Sequence, residues 1–139
     1  MKTLVIFVFS IFTIVGAVAQ EAAEEANASG AVMSFEEEKH DFGDIFQGDK
    51  VEHVFEFENT GNEPLIITNV QTTCGCTAPE WPRDPVAPGQ SGKIKVVFNS
   101  AGKIGRQNKV ITVVSNASSP LNRVTIVTNV LPKKEDGSK

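Results

Sequence analysis

The most constraining feature of the sequence is an alternation of apolar and charged side chains along residues 50–58. Val51, Phe55 and Phe57 share one parity in this run, whereas three glutamates share the other. Because successive side chains of a β-strand point to opposite faces, this spacing predicts a strand with one buried and one solvated face. Such a strand must bury its apolar face against a second layer of structure.

The same pattern recurs further along the chain, between segments rich in turn-forming residues. Ile94 and Val96 alternate with lysines directly after a Pro-Gly turn, and runs rich in valine, isoleucine and threonine follow at 109–114 and 123–130. No later stretch carries apolar residues at helical spacing over three turns. Short strands at intervals of about twelve residues predict an all-β fold, an antiparallel β-sandwich of about seven strands over residues 32–131.

The first nineteen residues have the features of a secretory signal peptide. Lys2 precedes an apolar run over residues 4–18, and small side chains occupy positions 17 and 19 before an acidic segment. As a helix the run would rise only about 22 Å, less than the roughly 30 Å hydrocarbon core of a bilayer. The sequence therefore predicts export to the periplasm or the extracellular space, with no transmembrane segment after cleavage of residues 1–19.

Two further segments are predicted to lie outside the folded domain. Residues 20–31 contain no large apolar side chain and are expected to form a flexible acidic linker, and residues 132–139 form a polar tail. The chain carries a net charge of −4. Because a negative protein is repelled by a phosphate backbone, nucleic acid is excluded as a partner.

Several short motifs follow one another through the predicted domain: Phe42-Gly43-Asp44-Ile45, Asn59-Thr60-Gly61, Pro64-Leu65-Ile66-Ile67, Cys74-Gly75-Cys76-Thr77, Pro88-Gly89 and Ser115-Asn116. This series resembles the DUF1573 family of exported bacterial proteins of unknown function. The resemblance implies an immunoglobulin-like sandwich, similar to ASPM-SPD-2-Hydin and major-sperm-protein domains, which are mostly binding or scaffolding modules. It implies interaction rather than catalysis, and it carries over no catalytic residues.

Cys74 and Cys76 are the most chemically specific pair in the chain. Residues two apart in a strand point to the same face, and a bend at Gly75 would bring the two sulfurs within bonding distance. An oxidising compartment favours such a disulfide. The pair is then either a local structural bond, which we favour, or a labile redox couple.

A structural pair of buried thiols and a metal site built on the two thiolates are the remaining alternatives for these cysteines. Such a site needs further ligands, and only His40, His53 and Met33, all well upstream, offer them. His53 shares the parity of Phe55, which favours a place at the rim of the sandwich over a role as a ligand. We therefore expect no metal ion and no cofactor.

The segment between the cysteines and Pro88 is the candidate for contact with a partner. Prolines recur there at every third residue, which is the period of a polyproline II helix, although a connection between strands, outside the sheet ladders, is the stronger interpretation. Trp81, followed by Pro82, either closes one end of the sandwich or anchors a partner, because tryptophan is enriched at binding hot spots.

The sequence contains no motif that supports a catalytic triad, a phosphate-binding loop or an ordered calcium loop. It predicts a non-enzymatic, exported interaction or scaffolding module of the bacterial cell envelope, whose partner is a protein or another envelope component. The alternative function is thiol–disulfide exchange or thiolate metal binding through Cys74 and Cys76.

Overall fold

The computed structural model describes residues 30–134, which form two four-stranded β-sheets around one core. The strands are β1 Met33–Phe35, β2 Lys39–Phe46, β3 Lys50–Asn59, β4 Ile67–Thr72, β5 Thr77–Glu80, β6 Ser91–Asn99, β7 Gly105–Ser115 and β8 Leu121–Leu131. The front sheet has the order β1-β3-β6-β5 and the back sheet the order β2-β8-β7-β4. The predicted β-sandwich is confirmed, with eight strands in the described residues where about seven were expected.

The strand that the sequence analysis missed is β5, which contains Pro79. We expected the prolines to keep this segment out of the sheets, but Pro79 lies opposite Val96 of β6. The Asn99 N–H donates to the Cys76 carbonyl over 2.9 Å, so the alternation of an antiparallel ladder turns the Pro79 nitrogen away from β6. An edge strand accepts proline at such a position because its free side needs no donor.

One pair of strands departs from the antiparallel arrangement. Between β1 and β2 the chain crosses from the front to the back sheet, and β2 runs parallel to β8, whereas every other pair in residues 30–134 is antiparallel. Because the chain leaves the front sheet after Phe35, β1 covers only residues 57–59 of β3. The N-terminal half of β3 therefore has no strand on that side.

The core between the sheets is built from the apolar faces that the alternation predicts. Phe55, Phe57 and Phe98 of the front sheet are at most 1% exposed, and they belong to one cluster with Ile111 and Ile126 of the back sheet. Burying a side chain of this size contributes about 1.5–3 kcal/mol relative to its exposed state. Burial of the two inner faces is what holds the sheets together.

The boundaries of the domain differ slightly from the predicted ones. Gly30 and Ala31 were placed in the flexible linker, yet Ala31 is 1% exposed and the Gly30 carbonyl accepts a hydrogen bond from the Asn62 N–H over 2.9 Å. The predicted signal peptide, residues 20–29 of the linker and residues 135–139 of the tail lie outside the described residues. Within residues 30–134, no helix has the length and apolarity to cross a membrane.

Candidate functional sites

Cys74 and Cys76 form a disulfide in the turn that leads from β4 in the back sheet to β5 in the front sheet. Their Cα atoms are 5.3 Å apart, within the usual range for bridged cysteines. Both residues are half-buried. The bond therefore lies at one end of the sandwich, where the chain changes sheets.

The turn is also held by hydrogen bonds that do not involve the sulfurs. The Thr72 hydroxyl donates to the Cys74 carbonyl over 2.9 Å, and the Asn99 N–H donates to the Cys76 carbonyl over 2.9 Å. Gly75 lies outside the left-handed region, and a Cβ atom there would meet nothing within 4 Å. The bend thus forms without the conformational freedom of glycine that the sequence analysis invoked.

The surroundings of the sulfurs favour a structural bond over a redox couple. In the part of the chain that the structure describes, the side chain in hydrogen-bond contact with either sulfur is Thr77, whose Oγ1 lies 3.8 Å from Cys74 Sγ and 4.0 Å from Cys76 Sγ. Reactive thiols owe their low pKa to a nearby cation or a helix N-terminus. The neutral hydroxyl of Thr77, at the start of a β-strand, provides neither a cation nor a helix N-terminus.

Replacing both cysteines with serine is expected to lower the free energy of unfolding by only about 1–2 kcal/mol. The loop that the bond closes is very short, since the cysteines are two residues apart, and the chain-entropy model gives roughly 1.6 kcal/mol for a closed loop of three residues. Urea unfolding under oxidising conditions measures the loss. A loss above about 4 kcal/mol would show that the bond organises more of the fold than its own turn.

The structure does not bring the cysteines and the histidines together. His53 lies opposite Val96 of β6, which lies opposite Pro79 of β5, so two strand spacings, about 10 Å, separate β3 from the strand that follows the disulfide. Ligands of one zinc ion lie about 2.0–2.3 Å from it. A mixed thiolate–imidazole site is therefore not assembled in this fold.

The two imidazoles instead meet each other and one carboxylate at the opposite edge of the sandwich. His40 is on β2, His53 is on β3, and Glu37 lies in the crossing between β1 and β2. One ligand atom from each of the three lies within 4.8 Å of the others. We call this group the histidine cluster; sequence reasoning missed it, and its only signal there was the inward parity of His53.

The geometry of the histidine cluster is compact. Glu37 Oε1 lies 3.4 Å from His40 Nδ1, and Glu37 Oε2 lies 3.1 Å from His53 Nε2. The imidazole rings are stacked, with centroids 3.6 Å apart and planes 8° from parallel. Burial and then the neighbouring His40 lower the pKa of the His53 imidazole, against the opposing effect of Glu37.

Two phenylalanines hold the imidazoles in place. The Phe42 ring meets His40 edge to face at 4.7 Å, and the Phe55 ring meets His53 in the same way at 4.7 Å. Within residues 30–134, neither imidazole is in hydrogen-bond contact with a hydroxyl or a thiol; both contact Glu37. The cluster thus offers donors of a metal ligand set, without the nucleophile that acyl transfer requires.

Trp81 directly follows β5 and lies at the edge of the core. Its half-buried ring packs against the core, and the Arg83 guanidinium carbon lies 3.9 Å from the ring centre. Its indole Nε1 is buried and has no hydrogen-bond partner among the described residues. The adjacent Pro82 is half-buried as well.

Trp81 also lines a shallow groove on the outer face of the front sheet, which we call the Trp81 groove. The groove has a volume of about 370 Å³ and is lined by Val54, Glu80, Trp81, Lys93 and Lys95. Val54 is 39% exposed. The groove therefore combines an apolar floor with a charged rim.

Fold and comparisons together place the protein in the class of immunoglobulin-like β-sandwich domains. The sequence profile of the DUF1573 family, described as a protein of unknown function, matches residues 33–130, and the chain belongs to this family. No protein of curated function matches the chain.

Solved structures with a similar fold come from bacteria and from humans. A protein of unknown function from Porphyromonas gingivalis W83 aligns with a TM-score of 0.64 and 21% identity, over 74% of this chain and 48% of that one. The PapD-like (ASH) domain 7 of human CEP192 aligns with a TM-score of 0.61 and 10% identity, over 86% and 97% of the two chains. The secreted serine protease VesC from Vibrio cholerae aligns with a TM-score of 0.57 and 16% identity, over 76% and 24%.

These likenesses establish the fold. The chain spans about half of the Porphyromonas gingivalis protein and about a quarter of VesC. By contrast, it matches nearly all of the CEP192 domain. Because a shared fold hosts many unrelated functions, a function for this chain has to be argued from its own surfaces.

Proposed function

We propose that the protein is a non-enzymatic interaction module of the bacterial cell envelope, exported through residues 1–19 and acting in the periplasm or at the cell surface. The signal-peptide pattern and the disulfide support this location, since disulfides persist in oxidising compartments. The likeness of nearly the whole domain to a PapD-like domain supports a binding module. The partner is another protein of the envelope.

The observation that carries the proposal is the Trp81 groove. It offers an exposed valine beside a tryptophan, and tryptophan is enriched at binding hot spots. Lys93 and Lys95 form ion pairs with Glu56 and Glu52 over 3.2 Å and 3.4 Å on the same face. A protein segment could place an apolar side chain over Val54 and contact the charged residues that surround Val54.

Three of the four edge strands disfavour an added strand, which supports binding through a face. β1 has three residues, and the free edge of β5 carries Pro79. The ladder of β2 is interrupted between Asp41 and Asp44, where Gly43 has a φ of 70°. Short, proline-bearing or bulged edges are the devices by which proteins prevent strand addition.

The test is site-specific photo-crosslinking in cells of the native organism. A photoreactive amino acid at position 54 is expected to give a discrete crosslinked product, whereas the same amino acid at Leu121 on the back sheet, which is 50% exposed, is expected to give none. Reversing the rim charges with Lys93→Glu and Lys95→Glu should reduce the product several-fold. Equal products from both positions, or none from position 54, would contradict the proposal.

A further inference from the structure

The histidine cluster lies where the sandwich is open. After Phe35 the chain leaves β3, and the last backbone contact between them is the Glu36 N–H donating to the Glu56 carbonyl over 3.1 Å. The gap between β2 of the back sheet and the uncovered half of β3 is occupied by the stacked rings of His40 and His53. Each sheet thus contributes one imidazole, and the crossing segment contributes a carboxylate.

We infer that Glu37, His40 and His53 bind one divalent transition-metal ion, of the kind represented by Zn²⁺ and Cu²⁺, which joins the two sheets at this edge. Imidazole nitrogen and carboxylate oxygen are common ligands of both ions. Three protein ligands leave at least one coordination position for water or for a group from outside. This site goes beyond the proposed interaction function and does not depend on it.

The distances fit such an ion. Two ligand atoms that are each about 2.05 Å from a tetrahedral ion lie about 3.3 Å apart. In the histidine cluster the two carboxylate–imidazole distances are 3.4 Å and 3.1 Å, and all three ligand atoms lie within 4.8 Å of one another. Because an imidazole binds a metal in the plane of its ring, the two stacked rings would have to tilt toward each other about their side-chain torsions to close around one ion.

The ligands are also close together before any ion binds. Phe42 and Phe55 each pack against one imidazole at 4.7 Å, with the two rings nearly perpendicular. The side chains of His53, His40 and Glu37 are 22%, 29% and 47% exposed, so an ion can enter from solvent.

The competing explanation is that the imidazoles simply hydrogen-bond the Glu37 carboxylate. Both arrangements use His40 Nδ1 and His53 Nε2, but the hydrogen-bonded one needs no tilt of the rings. They differ in what the nitrogens contribute, since a hydrogen bond needs a bound proton and coordination needs a free electron pair. Direct measurement of binding therefore separates them.

The experiment is a calorimetric titration of the full processed chain, without a polyhistidine tag and stripped of metal by a chelator, with Zn²⁺ alone. We expect one saturable site per chain. Because changes even to an outer partner of a ligand weaken metal binding 10–100-fold, His40→Ala and His53→Gln should each weaken it at least about tenfold. Glu38→Gln is the matched control, because Glu38 is an exposed neighbour outside the cluster, and it should leave the affinity unchanged.

Two further readouts keep the inference testable if a variant folds poorly. Zn²⁺ should raise the thermal unfolding midpoint of the unmodified chain but not that of His40→Ala. Cu²⁺ should give an electron paramagnetic resonance spectrum with coupling to two nitrogens. Absence of saturable Zn²⁺ binding, or equal Zn²⁺ affinity in the unmodified chain and the histidine variants, would overturn the inference. The groove variants Lys93→Glu and Lys95→Glu should bind Zn²⁺ with unchanged affinity. A failure of the metal site can therefore be distinguished from a failure of the Trp81 groove proposal.

Discussion

Replacing Asn59 with alanine is expected to lower the free energy of unfolding by about 3–5 kcal/mol, the largest effect we expect from a polar residue of this protein. Asn59 is fully buried, and its side chain makes four hydrogen bonds to the backbone. Its Nδ2 donates to the carbonyls of Glu63 and Val86 over 2.7 Å and 2.9 Å. Its Oδ1 accepts from the N–H groups of Val32 and Gly61 over 3.2 Å and 3.1 Å.

The size of the effect follows from what alanine would leave behind. Removing one partner of a buried hydrogen bond costs about 1–3 kcal/mol, because the remaining group has lost both its partner and water. The four bonds of Asn59 join the start of the domain, the Asn-Thr-Gly turn and the connection before β6. One amide therefore holds three separate segments at this end of the sandwich.

Urea unfolding measures the loss, and the fluorescence of the one tryptophan of the chain, half-buried Trp81, reports it. The matched control is Asn116→Ala. Asn116 also bridges backbone groups, accepting from the Ile66 N–H over 2.7 Å and donating to the Pro64 carbonyl over 3.0 Å, but it is exposed. Since water can replace those bonds, we expect a loss of about 1 kcal/mol; equal losses from both variants would refute the role of burial.

Replacing Gly61 with alanine is expected to destabilise the domain by about 3 kcal/mol or more. A Cβ atom there would overlap the Gly30 carbonyl oxygen and lie 2.6 Å from the Val32 nitrogen and 2.9 Å from the Ala31 carbonyl carbon. These are backbone atoms of the segment that enters β1, so rotation of a side chain cannot relieve the overlap. The first residues of the domain would have to leave their place.

Gly75→Ala is the control for this prediction, because a Cβ atom at position 75 meets nothing within 4 Å. We expect it to change the free energy of unfolding by less than about 1 kcal/mol. Amide hydrogen exchange should also report loss of protection at Val32 in Gly61→Ala alone. A stable Gly61→Ala variant with normal protection at Val32 would show that the segment 30–32 is not held against the turn.

The strands that the sequence predicted are those whose pattern is local. In β3 the alternation of Phe55 and Phe57 with glutamates is visible within a few residues, and both rings are buried as expected. β5 was missed because proline is compatible with a strand only at a sheet edge, and the position of a strand in its sheet is not a local property. The parallel pairing of β2 with β8 was missed for the same reason.

The candidate sites also differ in whether their residues are neighbours in the sequence or come together only in the fold. The Cys74–Cys76 bond was predictable, because two residues that are two apart in the sequence come within bonding distance wherever the chain bends between them. The Trp81 groove was predictable only through its tryptophan, since Val54, Lys93 and Lys95 approach it from other strands. The DUF1573 resemblance, carried by short motifs, was confirmed by the family match over residues 33–130.

The sequence analysis named His40 and His53 only as further ligands for the cysteines, and it did not place them together with Glu37. His40 and His53 belong to strands in different sheets, and they meet only because the chain crosses between those sheets at Glu37.

The sequence by itself determined the secondary structure class and the inner and outer faces of the long strands, and it favoured the disulfide. The physical reason is that side-chain alternation and the reach of two neighbouring cysteines are properties of a few consecutive residues. Only the tertiary structure decided which side chains from distant segments share a surface. That depends on the order of strands in each sheet and on the crossing of the chain from β1 to β2, which follow from packing the whole core at once.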